Sequence, residues 1–335
     1  MARNFKKNRP LALVNHALEA IVLVASGAAC AQTGAAAYPT KPVKLVVGFA
    51  AGGPTDVVAR AFADHASKAL GQPFIIDNKP GAGTIIAAQA VASAPADGYT
   101  LLFGATNHTM IPALYQGRVK FDAVKSFRPL CTVASSPTVL VVAPSLPVKT
   151  LADYHAKARA EPGRVTAGTA GVGSSGHFAT EIFARAQGLQ LNHVPYKGAA
   201  PVVTDLMGGQ LDSSFATLGS VLPQIQSGKL RALAVGAPKR SALVPDVPTF
   251  AEAGGGNYAA DVWYGVLAPA GLPEPIALAL ERTAADFAKS ESAAEKLRGL
   301  GMDAESVCGN AFATRVAREV TTYSQIAKAL DLKAD

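Results

Sequence analysis

From Val43 onward, short apolar runs alternate with segments whose apolar residues recur every three or four positions. This is the pattern of strands covered by helices. Val43–Phe49 reads as a strand. The Gly-rich stretch Ala50–Thr55 then opens a helix in which Val58, Phe62, Ala66 and Leu70 share one face and Gly71 marks the end. Phe74–Asp77, Tyr99–Phe103 and Arg128–Ala134 read as further strands, with Asp97-Gly98 as a turn before the second. The pattern then starts afresh. Thr138–Ala143 is apolar and β-branched, and Thr150 is placed to cap a helix. Val165–Ala170, Leu191–Pro195, Leu211–Phe215 and Leu230–Val235 continue the strands. Helices are expected over His177–Ala186, ended by Gly188, and near Val202–Met207 and Val221–Ser227. Val262–Leu267 is one more strand, and two or three helices fill Ile276–Leu330.

Those last helices have no sheet of their own unless they return to the first one. The expected fold class is therefore α/β in two lobes, each a parallel sheet flanked by helices. Lobe one would comprise residues 38–136 plus 258–335 and lobe two residues 137–257, with hinge crossings near 135–140 and 256–263. Composition agrees: 335 residues, 49% hydrophobic and 16% charged, supply one or two cores and too little charge for a disordered chain.

The first residues read as a targeting segment. Arg3, Lys6, Lys7 and Arg9 precede the mostly apolar stretch Leu11–Ser26, and Ala29-Cys30-Ala31 supplies an A-x-A cleavage site. Cleavage is expected after Ala31, with residues 35–37 as an alternative. The apolar run is shorter than the roughly 18–20 residues that span a bilayer. A lipoprotein acylated at Cys30 is the less favoured reading, because Gly27 stands where a larger aliphatic residue is preferred. Removing residues 1–31 lowers the net charge from +7 to +4. The remaining Lys and Arg are scattered, so no nucleic-acid partner is expected. Cys131 and Cys308 then remain, as a disulfide pair or as two buried thiols.

Three strand-to-helix loops carry candidate chemistry. Gly48–Asp56 combines glycines, which allow close backbone approach, with a helix start whose free N–H groups and dipole favour an anion. Thr55 adds a hydroxyl, and Asp56 is placed to bond N–H groups of its own first turn. Gly171–Gly176 matches G-x-G-x-x-G, but the acidic residue that a dinucleotide site needs about 20 positions on is missing. It reads instead as a second anion-binding helix start, with Ser174 and Ser175 as donors and His177 facing the ligand or capping locally. In Val194–Pro201, Tyr196 offers a ring and a hydroxyl; Lys197 is by default a solvated cation. No G-x-S-x-G, H-E-x-x-H or P-loop motif occurs, and the six histidines include no i, i+4 pair. Neither catalytic residues nor a metal site nor a cofactor is expected.

Several stretches, in order, resemble the tripartite tricarboxylate transporter receptor family, also called Bug proteins. They are Val46–Asp56, Asp77–Gly83, Asp97–Leu102, His193–Gly198, Gly228–Val235, Val247-Pro248-Thr249 and Glu252-Ala253-Gly254. The resemblance runs from about Tyr38 to the C-terminus. It implies a monomeric, periplasmic two-lobed binding protein of the Venus flytrap, type II-like kind. Such a protein would take a small carboxylated ligand (a di- or tricarboxylate, an acidic amino acid or an aromatic acid) and deliver it to membrane transporter subunits of the tripartite tricarboxylate type. Carried over by position, the ligand-binding residues would be Phe49, Gly52, Gly53, Thr55, Asp56, Thr106 and Asn107 in lobe one. In lobe two they would be Gly173, Ser174, Ser175, His177, Tyr196, Lys197 and Gly198. The chain departs from the family pattern at Ala50-Ala51, where prolines are usual, at Gly176, where serine is common, and at Ala216-Thr217, where Asp-Asn is frequent. The rival readings are a ligand-dependent sensor partner with the same fold and an NAD-dependent oxidoreductase using the G-x-G-x-x-G loop.

Overall fold

One long strand organises the molecule. In the computed structural model, which describes residues 38–49, 51–115, 117–196, 198–256 and 260–332, strand β4 (Phe127–Val142) runs unbroken through 16 residues. The expected leader, its expected cleavage site and Cys30 lie outside the described residues, as does Lys197.

Before β4 come β1 (Val43–Val47), β2 (Phe74–Asn78) and β3 (Thr100–Ala105), with β1 parallel to both neighbours. Strand β9 (Asp261–Pro269) lies antiparallel between β3 and the first part of β4, Phe127–Pro137. The short β10 (Asp303–Ala304) pairs with β4 at Ala134 and Ser135. From Thr138 on, β4 changes partners and pairs antiparallel with β7 (Ser213–Thr217) and β8 (Arg231–Gly236). Beyond β7 lie β5 (Thr166–Thr169) and β6 (Asn192–Pro195), both parallel. The result is one ten-stranded sheet in two parts joined through β4, within a compact unit spanning Lys41–Asp335.

Two expectations are corrected here. Arg128–Ala134 and Thr138–Ala143 are one strand, because Ser135-Ser136-Pro137 falls where β4 leaves β9 for β7 and β8 and the backbone stays extended. Proline is tolerated at such irregular points in a sheet. The sheet is also mixed instead of parallel, since β4 and β9, which carry the chain between the parts, run antiparallel to their neighbours.

Ten helices are described. They are α1 (Pro54–Leu70), α2 (Ile85–Ala92), α3 (Asn107–Leu114), α4 (Leu151–Ala160), α5 (Ser175–Gln187), α6 (Ala199–Met207), α7 (Leu218–Gln226), α8 (Glu274–Lys289), α9 (Glu291–Gly299) and α10 (Gly309–Leu330). They cover both faces, which is why β4 can be apolar at consecutive positions. Val139 and Val141 pack against Val202, Leu206 and Val221 of α6 and α7. Leu140 and Val142 face Tyr154 of α4, Phe183 of α5 and Phe250. In the first part, Val46, Leu102 and Leu267 pack with Val91, Phe312 and Val316. Helix α4 begins with a capping box, Thr150 and Asp153 each accepting from the other's backbone.

The C-terminal helices do return to the first part: α8 packs on α1 and β4, and α10 on α3 and β4. A disulfide joins Cys131 on β4 to Cys308 at the start of α10. Met110, Ala113 and Leu114 of α3, Phe178 of α5 and Ala327 of α10 form a further apolar cluster that bridges the two parts. Among the described residues, no helix is long and apolar enough to cross a membrane.

Candidate functional site

The loop from β1 to α1 is shaped by its own acid. Proline opens α1 behind Gly53, which caps the helix without a side chain, and Gly52 has φ +86°. Asp56, 1% exposed, accepts from Gly52 N–H at 2.8 Å, Arg60 Nε at 2.8 Å and Asn78 Nδ2 at 2.9 Å. Asn78 also donates to the Phe49 carbonyl, and Arg60 to Asn78 Oδ1. Burial pushes the Asp56 carboxyl up, but the bonds from Arg60, Gly52 and Asn78 outweigh it and hold the group below its ordinary range. Both oxygens are therefore occupied within the loop, which makes Asp56 the residue that positions it. Thr55 is buried one residue earlier, and Phe49 is exposed.

Thr106 and Asn107 leave β3 on the same side. Thr106 Oγ1 accepts from Trp263 N–H at 2.8 Å, and its own N–H donates to the Trp263 carbonyl. Asn107 Nδ2 donates to Thr84 Oγ1 at 2.7 Å, anchoring the start of α3 to the turn at Ala82–Thr84.

In the second part, Ser174 caps α5, its Oγ accepting from His177 N–H at 3.2 Å. Gly173, at φ +78°, donates its N–H to His177 Nδ1 at 3.1 Å. That bond fixes the neutral tautomer with its proton on Nε2. His177 is 3% exposed and stacks on His193 at 4.1 Å and 9°. Burial, followed by the neighbouring His193, pushes the His177 imidazole down to about 4. His193 Nε2 in turn bonds Thr169 Oγ1 at 2.7 Å. Tyr196 donates its hydroxyl to Asp205, a bond that, with burial, pushes the phenol up to about 12. Gly198, at φ +115°, caps α6 and donates its N–H to the Ala170 carbonyl.

His177, Glu181 and His193 each place a ligand-type atom within 4.8 Å of the other two. They do not make a metal centre. A metal-bound imidazole uses one nitrogen's lone pair and donates from the other. Here Nδ1 of His177 already receives a backbone N–H, so its remaining nitrogen carries the proton. The stacked rings also keep their in-plane lone pairs side by side instead of converging.

A cavity of about 60 Å³ lies in the second part, lined by Ser174, Ser175, Ala199, Val202, Thr217 and Ser220 among others. Its volume is that of roughly two water molecules at ~30 Å³ each, enough for one carboxylate. Three helices start at its wall: α5 at Ser175, α6 at Ala199 and α7 at Leu218. Each brings first-turn N–H groups without intrahelical acceptors and the positive end of its dipole. Among the described residues, no charged side chain lines the cavity. Of the expected residues, Ser174 and Ser175 line it, and Gly173 and His177 flank them. Phe49, Gly52, Gly53, Thr55, Thr106 and Asn107 do not line it. The two parts meet beside it: a Cβ on Gly173 would lie 2.4 Å from Leu114 Cδ1 of α3. Thr217 and Ser220 were not among the expected site residues; hydroxyls at the strand-to-helix turn after β7 were the available signal.

A larger cavity of about 960 Å³ lies where the chain crosses between the parts, lined by Pro137, Asp261, Glu305, Arg315, Glu319 and Tyr323 among others. It contains none of the expected site residues. Its Arg315 is held by Asp261 at 2.6 Å, Glu305 at 3.1 Å and Glu319 at 2.8 Å, so its charge is already compensated.

Residues 58–332 match the family model described as tripartite tricarboxylate transporter family receptor. Among curated relatives, protein BugT of Bordetella pertussis is 35% identical over 281 residues, covering 84% of this chain and 86% of BugT. A Rhodopseudomonas palustris protein solved with adipate superposes with a TM-score of 0.79 at 36% identity, covering 89% of this chain and 100% of that one. MatC of the same organism, solved with bound malate, gives 0.75 at 30% identity over 86% of this chain and 99% of MatC. The chain belongs to the tripartite tricarboxylate transporter receptor family.

Proposed function

We propose that this receptor is exported, holds a small carboxylate between the two parts of its sheet, and hands it unchanged to the membrane subunits of a tripartite tricarboxylate transporter. The observation that carries this reading is the cavity where three helix starts and the Ser174 and Ser175 hydroxyls meet, with no cation among the described residues that line it. Backbone N–H groups, hydroxyls and helix dipoles stabilise an anion without burying a second charge. The structures similar to this chain include one with adipate and one with malate. Gly52–Thr55, stiffened by Asp56, and the β3–α3 turn at Thr106 and Asn107 form the opposing wall. The two parts act as lobes that close about β4 and β9, roughly residues 38–136 with 258–335 against 137–257. The Cys131–Cys308 disulfide supports an oxidising, extracytoplasmic location. The protein acts as a monomer.

Calorimetry and thermal shift on the mature protein test the reading. A dicarboxylate of the adipate or malate type should bind and raise the melting temperature; at a hundredfold excess over Kd the linkage is worth about 2.7 kcal/mol. Ser175→Ala should weaken binding by about tenfold, the scale of a lost bond to a charged acceptor. Binding of NAD with no binding of any carboxylic acid would overturn it.

A further inference from the structure

We infer that the ligand is a carboxylic acid without an amino group beside its carboxylate, and that Ala216 sets this choice; the inference rests on the carboxylate-binding reading above. The cavity receives the first turns of α5, α6 and α7, whose N–H groups and dipoles present partial positive charge. An ammonium brought there meets the same sign of charge. It would need acceptors, and the described side chains that line the cavity offer only neutral hydroxyl oxygens and no anion. Ser214 Oγ donates to the Gly168 carbonyl at 2.7 Å. Ser220 Oγ donates to the Thr217 carbonyl at 2.7 Å, and Thr217 Oγ1 donates to Ser220 Oγ at 3.3 Å.

Among the described residues, no carboxylate lines the cavity. Of the acids on neighbouring elements, Glu181 on α5 stands beside His177 and His193 and does not line the cavity, and three others are engaged where they stand. Asp212, at the head of β7, accepts from the backbone N–H and hydroxyl of Thr166. Asp205 on α6 accepts from Tyr196, and Asp56 is saturated within its own loop. Ala216 is the position at which one residue would change this. It is the β7 residue paired with Val139, it lines the cavity, and its methyl offers no acceptor. A buried ammonium without an anionic partner is strongly disfavoured, whereas the matching unsubstituted acid presents only C–H there.

The test compares matched acids and amino acids on the mature protein by calorimetry: succinate with aspartate, glutarate with glutamate, adipate with 2-aminoadipate, and 3-phenylpropionate with phenylalanine. The better-bound acid should bind more than about 30-fold tighter than its amino counterpart, the effect expected of an uncompensated charge. Ala216→Asp should narrow or reverse that ratio, and the uncharged Ala216→Asn should not. A wild-type protein that binds an amino acid as tightly as its matched acid overturns the inference and leaves the carboxylate-receptor reading standing. A wild-type protein that binds no member of any pair at millimolar concentration overturns both. The wild-type comparison decides the ligand class even if Ala216→Asp does not fold, and a folded Ala216→Asp protein that leaves the ratio unchanged overturns the role of Ala216.

Discussion

Replacing Asp56 should unmake the first loop, and the size of the effect can be worked from its bonds. Asp56→Ala removes the acceptor of Gly52 N–H and Asn78 Nδ2, both within 2.9 Å of a carboxylate that is 1% exposed. Bonds to a charged partner contribute about 1.5–3 kcal/mol each, and the two share one buried carboxylate, so a combined loss of about 2–4 kcal/mol is expected. Arg60 adds little to this figure. Its side chain is 52% exposed, and solvent screens most of its attraction. Arg60→Ala should therefore move stability far less than Asp56→Ala. Asp56→Asn keeps the volume but turns an N–H toward Gly52 or Asn78, donor against donor, so it should resemble the alanine variant. Urea unfolding at pH 7 gives the stability change, and calorimetry with the cognate acid gives the consequence for binding. The pH dependence has a definite sign. The Asp56 carboxyl is lowered in the folded state, so its contribution is present above the unfolded value near 3.9 and is lost as pH falls through the folded one. An Asp56→Ala protein within about 0.5 kcal/mol of wild type, an ordinary surface change, would refute this account.

The sequence was most legible where one period dominates. Helix α1 announces itself by Val58, Phe62 and Ala66 on one face and by Gly71, which takes φ +70° to end it. Helix α2, Ile85–Ala92, is apolar all round and so has no period to read. Helix α3 spans only Asn107–Leu114 and contains Pro112, a residue that disfavours a helix interior, so no clear helical pattern stands out there. The two glycine loops were readable as close-approach turns, and Gly52 and Gly173 do adopt positive φ. What lies across the chain was not readable. Asn78, 22 residues from Asp56, completes that loop from β2. The stacking of His177 on His193 joins a helix to a strand, which a search for i, i+4 pairs within one helix does not reach. The third helix start at the cavity comes from Thr217–Ser220, brought in only by the pairing of β7 with β4 and β5.

Three further outcomes can be checked. The Cys131–Cys308 bridge closes a separation of 177 residues, so Cys131→Ala/Cys308→Ala should lower the unfolding free energy by about 2–5 kcal/mol in urea; unchanged stability would refute this. His108 is buried with Nε2 on the Ala123 carbonyl and Nδ1 without a partner among the described residues, and burial pushes it down to about 4. The unfolded chain, titrating near 6.5, binds more protons below that pH. Stability should thus be complete above pH 6.5 and fall toward pH 4, and His108→Gln should remove about 2 kcal/mol of the loss between pH 7 and 5. An unaltered pH profile in urea would count against it. The last outcome sets two glycines against each other. A Cβ on Gly219, in the first turn of α7, would lie 2.2 Å from the Leu300 carbonyl oxygen, and one on Gly301 would lie 2.4 Å from Gly219 Cα. Backbone has no rotamer by which to retreat. Ser136 Oγ holds the same junction, donating to the Gly301 carbonyl at 3.1 Å. Gly219→Ala should therefore cost about 1–3 kcal/mol, although alanine in a helix ordinarily gains up to about 1. Gly173→Ala meets only the end of Leu114, which can rotate, and pays mainly for φ +78°; about 1–2 kcal/mol is expected. Ligand affinity should fall in both variants, because Gly173 shapes the loop before Ser174 and Gly219 stands between the cavity-lining Thr217 and Ser220. A stabilised Gly219→Ala protein would show that this junction opens freely to admit a methyl group.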